Sequence, residues 1–399
     1  MDVKIFPKKL DGVIEAVSNK SFANRVILAS ALSSSPTEIY LKTMTEDVKS
    51  LISSIKSLGI SVRENKNTIT LSPTDCYEQD KEIEFFGSSS AIKFMLPFLS
   101  SLDISPTIVS ENKPIKINVD NVFNLKGVGT TADITPFSLI GALHGGIYRA
   151  SDFSGSFFIS SLLMVLPTLK EDSTFVCNKS FKNKEYAKIT LKIMRDFGII
   201  IEDREDGFFI PNSQRYVSPD KISVEGDYFA CSFISGANAF GNRVRITGLD
   251  GDSVQNNKTI KDYLLKFNAK GTNIELKDDY DFIYILSAVS LFACSDTTLS
   301  FNPVKDKELS LLNSFVNNLN KLGGQVELYD NRIVIKGKGG INGGAIVDSF
   351  GDGRQAICYS LIATCADNPI TVLSADSANK VYSFFYNDFK LLGGICQVL

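Results

Sequence analysis

The sequence predicts an α/β protein of two domains, each assembled from three copies of a helix–glycine–strand unit. Three observations carry that expectation. The chain has 399 residues, more than one hydrophobic core usually serves. Helix-period segments that stop at a glycine and pass into a Val/Ile-rich run recur along it. A polar stretch holding Pro219 and Gly226 lies near the midpoint, where a domain boundary is expected.

The clearest copies are DVKSLISSIKSLGISV, YAKITLKIMRDFGIII, LSLLNSFVNNLNKLGGQVEL and VYSFFYNDFKLLGGICQVL; NVDNVFNLKGVG and TIKDYLLKFNAKGTNIEL are weaker. In each, apolar residues keep helical spacing, end at a glycine suited to a left-handed helix terminus, and give way to strand-forming residues. The terminal glycines are Gly59, Gly127, Gly198, Gly271, Gly323 and Gly393. Most lie about 70 residues apart, with one step of about 50, and an interval kept so widely favours a repeat over ordinary helix–strand alternation. The expected domains are residues 19–225 and residues 1–18 joined to 226–399, with a strand near residues 3–7 pairing in the second domain and the active site in the cleft between them.

Composition narrows the function. A formal net charge of −3 argues against a general nucleic-acid binder, although a local basic cleft can still gather anions. No apolar run approaches the length of a membrane span, and the opening MDVKIFPKKLDG lacks a signal-peptide core, so a soluble cytoplasmic protein is expected. Seven cysteines, at 76, 177, 231, 294, 358, 365 and 396, form no C-x-x-C pair and read as reduced core thiols. His144 is the only histidine, which excludes paired histidine ligands; in the small-residue stretch GALHGGIY it reads as a packed structural residue.

The strongest local signal is SNKSFANRVILASAL, where Ser21 is a candidate N-cap ahead of an apolar run. Lys20, Ser21 and Arg25 then share one helix start, where backbone N–H groups, a hydroxyl and two cations suit a phosphate or carboxylate. The plainer reading is a capped helix with solvated charges.

NKSFANR resembles the K-S-x-S-N-R segment of EPSP synthases, and further matches follow in that family's order. FFGSSSAIKFMLPFL is similar to G-N-[SA]-G-T-x-x-R, ENKPI to E-R-P-[IM], and SGSFFISSLLMVLP to S-S-Q-[FY]-x-[ST]-A-L-L. VEGDYFACSFISGANAFG resembles G-D-x-S-x-A, VKDKEL resembles L-R-x-K-E-S, FGDGRQAICYSL resembles D-D-H-R-x-A-M, and ANKVYSFF resembles x-x-K-[ST]-[FY]-P-x-[FY]-[FW]. No single motif decides; their collinear order does.

The resemblance implies the enolpyruvyl transferase fold, two domains each of three βαβαββ units around a pseudo-threefold axis. It implies transfer of the enolpyruvyl group of phosphoenolpyruvate to the 5-hydroxyl of shikimate 3-phosphate, by a monomer needing no metal or other cofactor, no nucleic acid and no membrane. The hydroxyl attacks C2 while C3 is protonated, and the tetrahedral adduct loses phosphate. Two anionic substrates must lie in contact, so cations have to converge on them. By motif match these are Lys20, Arg25, Lys113, Lys307, Arg354 and Lys380, with Ser21, Ser90, Ser154 and Ser156 as hydrogen-bonding groups. Tyr186 matches a position near the shikimate ring, its plainer reading being a core-edge tyrosine. For proton transfer, Asp281 is the candidate base, its plainer reading a helix N-cap, and Glu308 the candidate for the methylene carbon, a role Lys20 can share.

Departures concentrate in the phosphoenolpyruvate half. Leu311 stands where the family has an arginine, Ser156 replaces a glutamine and Gly155 precedes it, Ser88, Ser90 and Ala91 replace asparagine, glycine and threonine, Lys113 replaces an arginine, and Gly353 a histidine. Arg332 and Lys336 are the candidates to compensate at Leu311. A non-catalytic or altered-ligand protein on the same scaffold therefore stays open. The sister transferase acting on UDP-N-acetylglucosamine relies on a loop cysteine that TIVSENKPIKINVDN lacks. RNA 3′-phosphate cyclases share the repeat unit but use a late histidine and a basic surface.

Overall fold

The computed structural model describes residues 1–74, 76–77, 81–86, 89–102, 104–111, 114–182, 184–267, 271–277 and 279–399, with Ser89 by its backbone alone. The chain divides into two compact units, Ser18–Glu225, and Met1–Val17 together with Gly226–Leu399. Ser18 belongs to the central unit because its N–H donates to Thr43 Oγ1 (2.9 Å) and its Oγ accepts from Lys42 N (2.9 Å).

The central unit repeats one sheet order three times, a parallel pair followed by two antiparallel strands. Lys221–Ser223 runs parallel to Thr37–Tyr40, which pairs antiparallel with Thr68–Ser72 and through it with Ser61–Glu64. Glu82–Phe85, Thr107–Ser110, Phe137–Gly141 and Val128–Thr130 form the second sheet in the same sense. Gly146–Arg149, Ser173–Val176, Gly207–Ile210 and Glu202–Arg204 form the third. Alternate side chains such as Ile39, Ile83 and Phe175 are fully buried, as a period of two requires of strands with one covered face.

Four helices of this unit matter for function: α1 (Lys20–Ala31), α2 (Ser89–Ser101), α3 (Ser156–Val165) and α4 (Glu185–Asp196). α1 is buried from Phe22 to Ala31, and α3 carries no charge at all, the mark of helices enclosed by their own unit. α3 packs on both α2 and α4, and α4 on α1.

In the other unit, Ile346–Asp348 runs parallel to Ile370–Leu373, and Val3–Phe6 is inserted antiparallel between Ile370–Leu373 and Ile395–Val398. Thr272–Leu276, Thr297–Phe301, Arg332–Ile335 and Val326–Tyr329 form a second such sheet. The third is only a parallel pair, Asp11–Glu15 with Arg243–Thr247. The repeat is thus incomplete among the described residues: TIKDYLLKFNAKGTNIEL yields a short helix, Ile260–Leu264, and its strand Thr272–Leu276 opens the next sheet instead. Helices α5 (Ile283–Phe292), α6 (Asp306–Lys321) and α7 (Gly353–Ala363) cover one core that includes Ile5, Tyr284, Phe315, Tyr359 and Val372.

All six unit-ending glycines have φ between +78° and +99°, the left-handed terminus that lacks a Cβ clash. Other expectations need correction. The copy VYSFFYNDFKLL becomes helical only over Phe385–Leu391, because Phe384 itself takes a left-handed φ of +62°. All seven cysteines are free, but only Cys177, Cys231 and Cys358 are buried, while Cys76 and Cys294 are exposed. His144 is not packed: its side chain is 60% exposed, with Nδ1 3.8 Å from Glu171. No helix among the described residues is long and apolar enough to cross a membrane.

Candidate functional site

α1 starts two residues earlier than a Ser21 cap would place it. The N-cap is Asn19, whose extended backbone lets its side chain accept from Phe22 N (2.9 Å); Ser21 sits inside the first turn instead. Lys20 is half-exposed beside Asp47, 3.7 Å away. One turn on, Arg25 is 1% exposed. Its Nε donates to Thr190 Oγ1 (2.8 Å), one terminal nitrogen to the Ser21 carbonyl (2.6 Å) and the other to Ser160 Oγ (2.6 Å). Phe94 lies under the guanidinium, 6.0 Å from the ring centroid.

Each hydroxyl that holds Arg25 is itself fixed by a residue the sequence singled out. Thr190 Oγ1 donates to the Tyr186 carbonyl (2.6 Å) and Ser160 Oγ to the Ser156 carbonyl (2.7 Å). Tyr186 is half-buried edge-on to Phe181, and burial raises its pKa while Arg25 opposes the rise. Arg25 makes no ion pair among the described residues, and burial lowers its pKa to about 9 despite the charges of Glu185 and Tyr186. Ser154 is tied down separately, accepting from Asn118 Nδ2 (2.8 Å) and donating its N–H to Asn121 (2.9 Å). It opens onto a cavity of about 500 Å³ shared with Lys93, Lys116 and Asp133. Ser90 is the second residue of α2, and Lys113 and Ser88 lie outside the described residues.

The other unit builds a second cluster around Arg354 at the start of α7. Asp352 caps that helix, accepting from Arg354 N (2.8 Å) and Gln355 N (3.3 Å), and also binds the Arg354 guanidinium (2.6 Å). The remaining guanidinium edge reaches Asp281 Oδ1 (2.6 Å) and Glu308 Oε2 (2.9 Å). Asp281 is therefore not the cap of α5; it lies in a short 3-10 turn, Tyr280–Phe282, that precedes the helix and aims its carboxylate at Arg354. Burial alone would depress the Arg354 pKa, but the Asp352 hydrogen bond and the acidic neighbours Tyr284, Asp352 and Asp281 leave it raised.

Lys380 is exposed and donates to the Gly351 carbonyl (2.9 Å), which ties the 375–380 turn to the loop before α7. The same turn explains Gly353: a Cβ there would lie 2.6 Å from the Ser377 carbonyl oxygen, leaving no room for a histidine. Lys307 is exposed on the first turn of α6, without an ion-pair partner among the described residues. Leu311 is half-buried and its carbonyl accepts from Gln355 Nε2 (3.0 Å). Neither candidate compensator is engaged here, since Arg332 stacks on Tyr329 (4.8 Å) and Lys336 lies 3.7 Å from Asp296.

Sequence reasoning missed Thr190, Ser160, Asn118, Asn121, Asp352 and Tyr284. A signal existed for two of them: Ser160 and Thr190 are hydroxyls four residues after Ser156 and Tyr186 on otherwise apolar helix faces. Among the described residues, no group of three or more histidines, cysteines or carboxylates could hold a metal ion.

Four-stranded sheets of one order, three in the central unit and two in the other, define a repeat-built α/β scaffold, and each unit carries an arginine-centred cluster. The family model for EPSP synthase (3-phosphoshikimate 1-carboxyvinyltransferase) matches residues 6–389. The chain belongs to the EPSP synthase family. It is 26% identical to a 3-phosphoshikimate 1-carboxyvinyltransferase of Clostridium kluyveri over 98% of this chain and 97% of that one. The corresponding protein of Clostridioides difficile is 28% identical, with the same coverage of 98% and 97%. The fold matches that of EPSP synthase from Acinetobacter baumannii with a TM-score of 0.85 at 15% identity, covering 100% of both chains.

Proposed function

We propose that this chain transfers the enolpyruvyl group of phosphoenolpyruvate to the 5-hydroxyl of shikimate 3-phosphate and releases phosphate, the reaction for which its family is named. The observation that carries this reading is the attachment of Asp281 and Glu308 to one guanidinium, at 2.6 Å and 2.9 Å. A base, a proton donor and a cation for the donor substrate thereby share one surface.

Before the donor arrives Arg354 holds Asp281 through Oδ1 alone; the Asp281 carboxylate then accepts the hydroxyl proton as oxygen attacks C2. Glu308 in its acid form gives a proton to C3 and, as carboxylate, takes one back when the adduct collapses and the C–O bond to phosphate breaks. Lys20 can share that transfer. Arg354, Lys307, Lys380 and Lys113 neutralise the donor's carboxylate and phosphate, with Ser90 and Ser156 hydrogen-bonding to it. Arg25, Ser21, Ser154 and Tyr186 hold the shikimate side. The protein acts as a cytoplasmic monomer.

The experiment is release of inorganic phosphate followed by a coupled assay. Turnover that needs both substrates supports the reading; no release above that with phosphoenolpyruvate alone sinks it. Sedimentation velocity checks the monomer.

A further inference from the structure

The guanidinium carbon of Arg354 lies 4.6 Å from the centroid of the Tyr284 ring, so one face of the cation is covered by an aromatic plane. Tyr284 is wholly buried, edge-on to Phe315 at 5.0 Å, and Phe315 stacks on Tyr359 at 5.5 Å. The ring beneath the cation is thus immobilised by two further rings. It leaves α5 at its second residue, three positions after Asp281, so ring and carboxylate approach the cation from one helix start. The Tyr284 hydroxyl meets that of Tyr280 but forms no well-aligned hydrogen bond. What the residue supplies is the ring, not the hydroxyl.

We propose that Tyr284 is a positioning residue for donor binding, holding the plane of Arg354 while the guanidinium exchanges Asp281 or Glu308 for an incoming carboxylate or phosphate. The exchange follows from how the guanidinium is occupied. Nε and one terminal nitrogen bond Asp352, and the outer edge is occupied by Asp281 and Glu308. Four of the five N–H groups are thereby engaged, so an anion that binds through two oxygens must displace at least one of those two carboxylates, and as it does so Asp352 and the ring hold the fork. Stacking on an aromatic face fixes orientation without competing for in-plane hydrogen bonds, and is worth most where water is excluded. Leu311 places an aliphatic chain where the family's segment has arginine, so the demand on Arg354 is greater here. The inference rests on the reading of Arg354 as the donor's cation.

The test compares Tyr284→Leu with Tyr284→Phe. Leucine removes the aromatic face and should raise the KM for phosphoenolpyruvate about five- to twentyfold, leaving the KM for shikimate 3-phosphate within about twofold and kcat within about threefold. Phenylalanine should restore the wild-type KM with an unchanged or higher melting temperature, because it deletes a buried hydroxyl that lacks a good partner. Equal rises in both KM values, or a leucine variant that matches phenylalanine, overturns the proposal. If the wild type releases no phosphate from the two substrates, the functional reading fails by itself. Calorimetric titration with inorganic phosphate then decides the positioning role: weaker binding by the leucine variant than by phenylalanine supports it, and equal affinity overturns it.

Discussion

Arg25 donates only to neutral oxygens, from Ser21, Ser160 and Thr190, whereas Arg354 is surrounded by the carboxylates of Asp281, Glu308 and Asp352. Both guanidiniums are largely removed from water, at 1% and 13% exposure. Burial without a counter-charge is costly, and it shows in the Arg25 pKa, lowered to about 9. An anion reaching Arg25 supplies a charge the protein withholds. An anion reaching Arg354 must evict one already present. On the proposed reading, the first cluster gains affinity from its ligand, and the second couples ligand arrival to the release of an acid–base group.

The sharpest way to break this comparison is Arg354→Met. It removes the donor's cation and the group that organises Asp281 and Glu308, so phosphate release should fall at least about a thousandfold. A loss under tenfold would remove Arg354 from the mechanism. Arg25→Met should act differently: shikimate 3-phosphate binding weakens about a hundredfold, since charged hydrogen bonds are lost, yet the unliganded protein is not destabilised because a costly buried cation is gone.

Linkage gives that second variant a pH signature. The folded pKa of about 9 lies below the ordinary 12.5, so between those values the unfolded chain binds the extra proton. Wild-type stability relative to Arg25→Met should therefore rise with pH above about 9, read by denaturant unfolding of both proteins at two alkaline pH values. A difference that does not move with pH would mean Arg25 is better solvated than its burial implies.

Smaller effects test the packing behind Arg354. Gly353→Ala places a Cβ 2.6 Å from the Ser377 carbonyl and should cost about 1–3 kcal/mol of stability in thermal or denaturant melts, with a raised KM for phosphoenolpyruvate. Smallest of all, His144→Gln should change neither kcat nor the pH–rate profile, because that side chain is 60% exposed on a loop beside Glu171. A shifted profile would bring histidine chemistry back into consideration.

Much of this was readable beforehand, for identifiable reasons. The unit-ending glycines sit at left-handed backbone positions that ordinary side chains rarely adopt, so periodicity and residue type agreed. Asp281, Glu308 and Arg354 were legible one at a time through their motifs, but not their bonding, which joins residues 73 and 46 positions apart. Asn19 and Ser21 are both good caps, and only the extended backbone at Asn19 chooses between them. His144 was misjudged because small neighbours suggest tight packing equally well in a core and in an exposed turn. Tyr284 was invisible for the opposite reason: in an apolar helix a tyrosine looks like core, and nothing in its own segment points to a cation carried on another helix.

The strand Val3–Phe6 has a consequence for how the molecule is made. Its two neighbours are supplied by residues 370–373 and 395–398, with Val3 opposite both Val372 and Val398. At a synthesis rate of about 5–20 residues per second, a ribosome needs roughly 20–80 s to deliver those partners. Throughout that interval the alternating residues Val3 and Ile5, each at most 1% exposed once folded, have no sheet to enter, while Ser18–Glu225 emerges as a contiguous stretch able to complete its own. The nascent chain thus carries an unpaired, β-prone segment ahead of an already folded body, and the lysines within it at 4 and after it at 8 and 9 are the charges that keep that segment from seeking a partner in another chain.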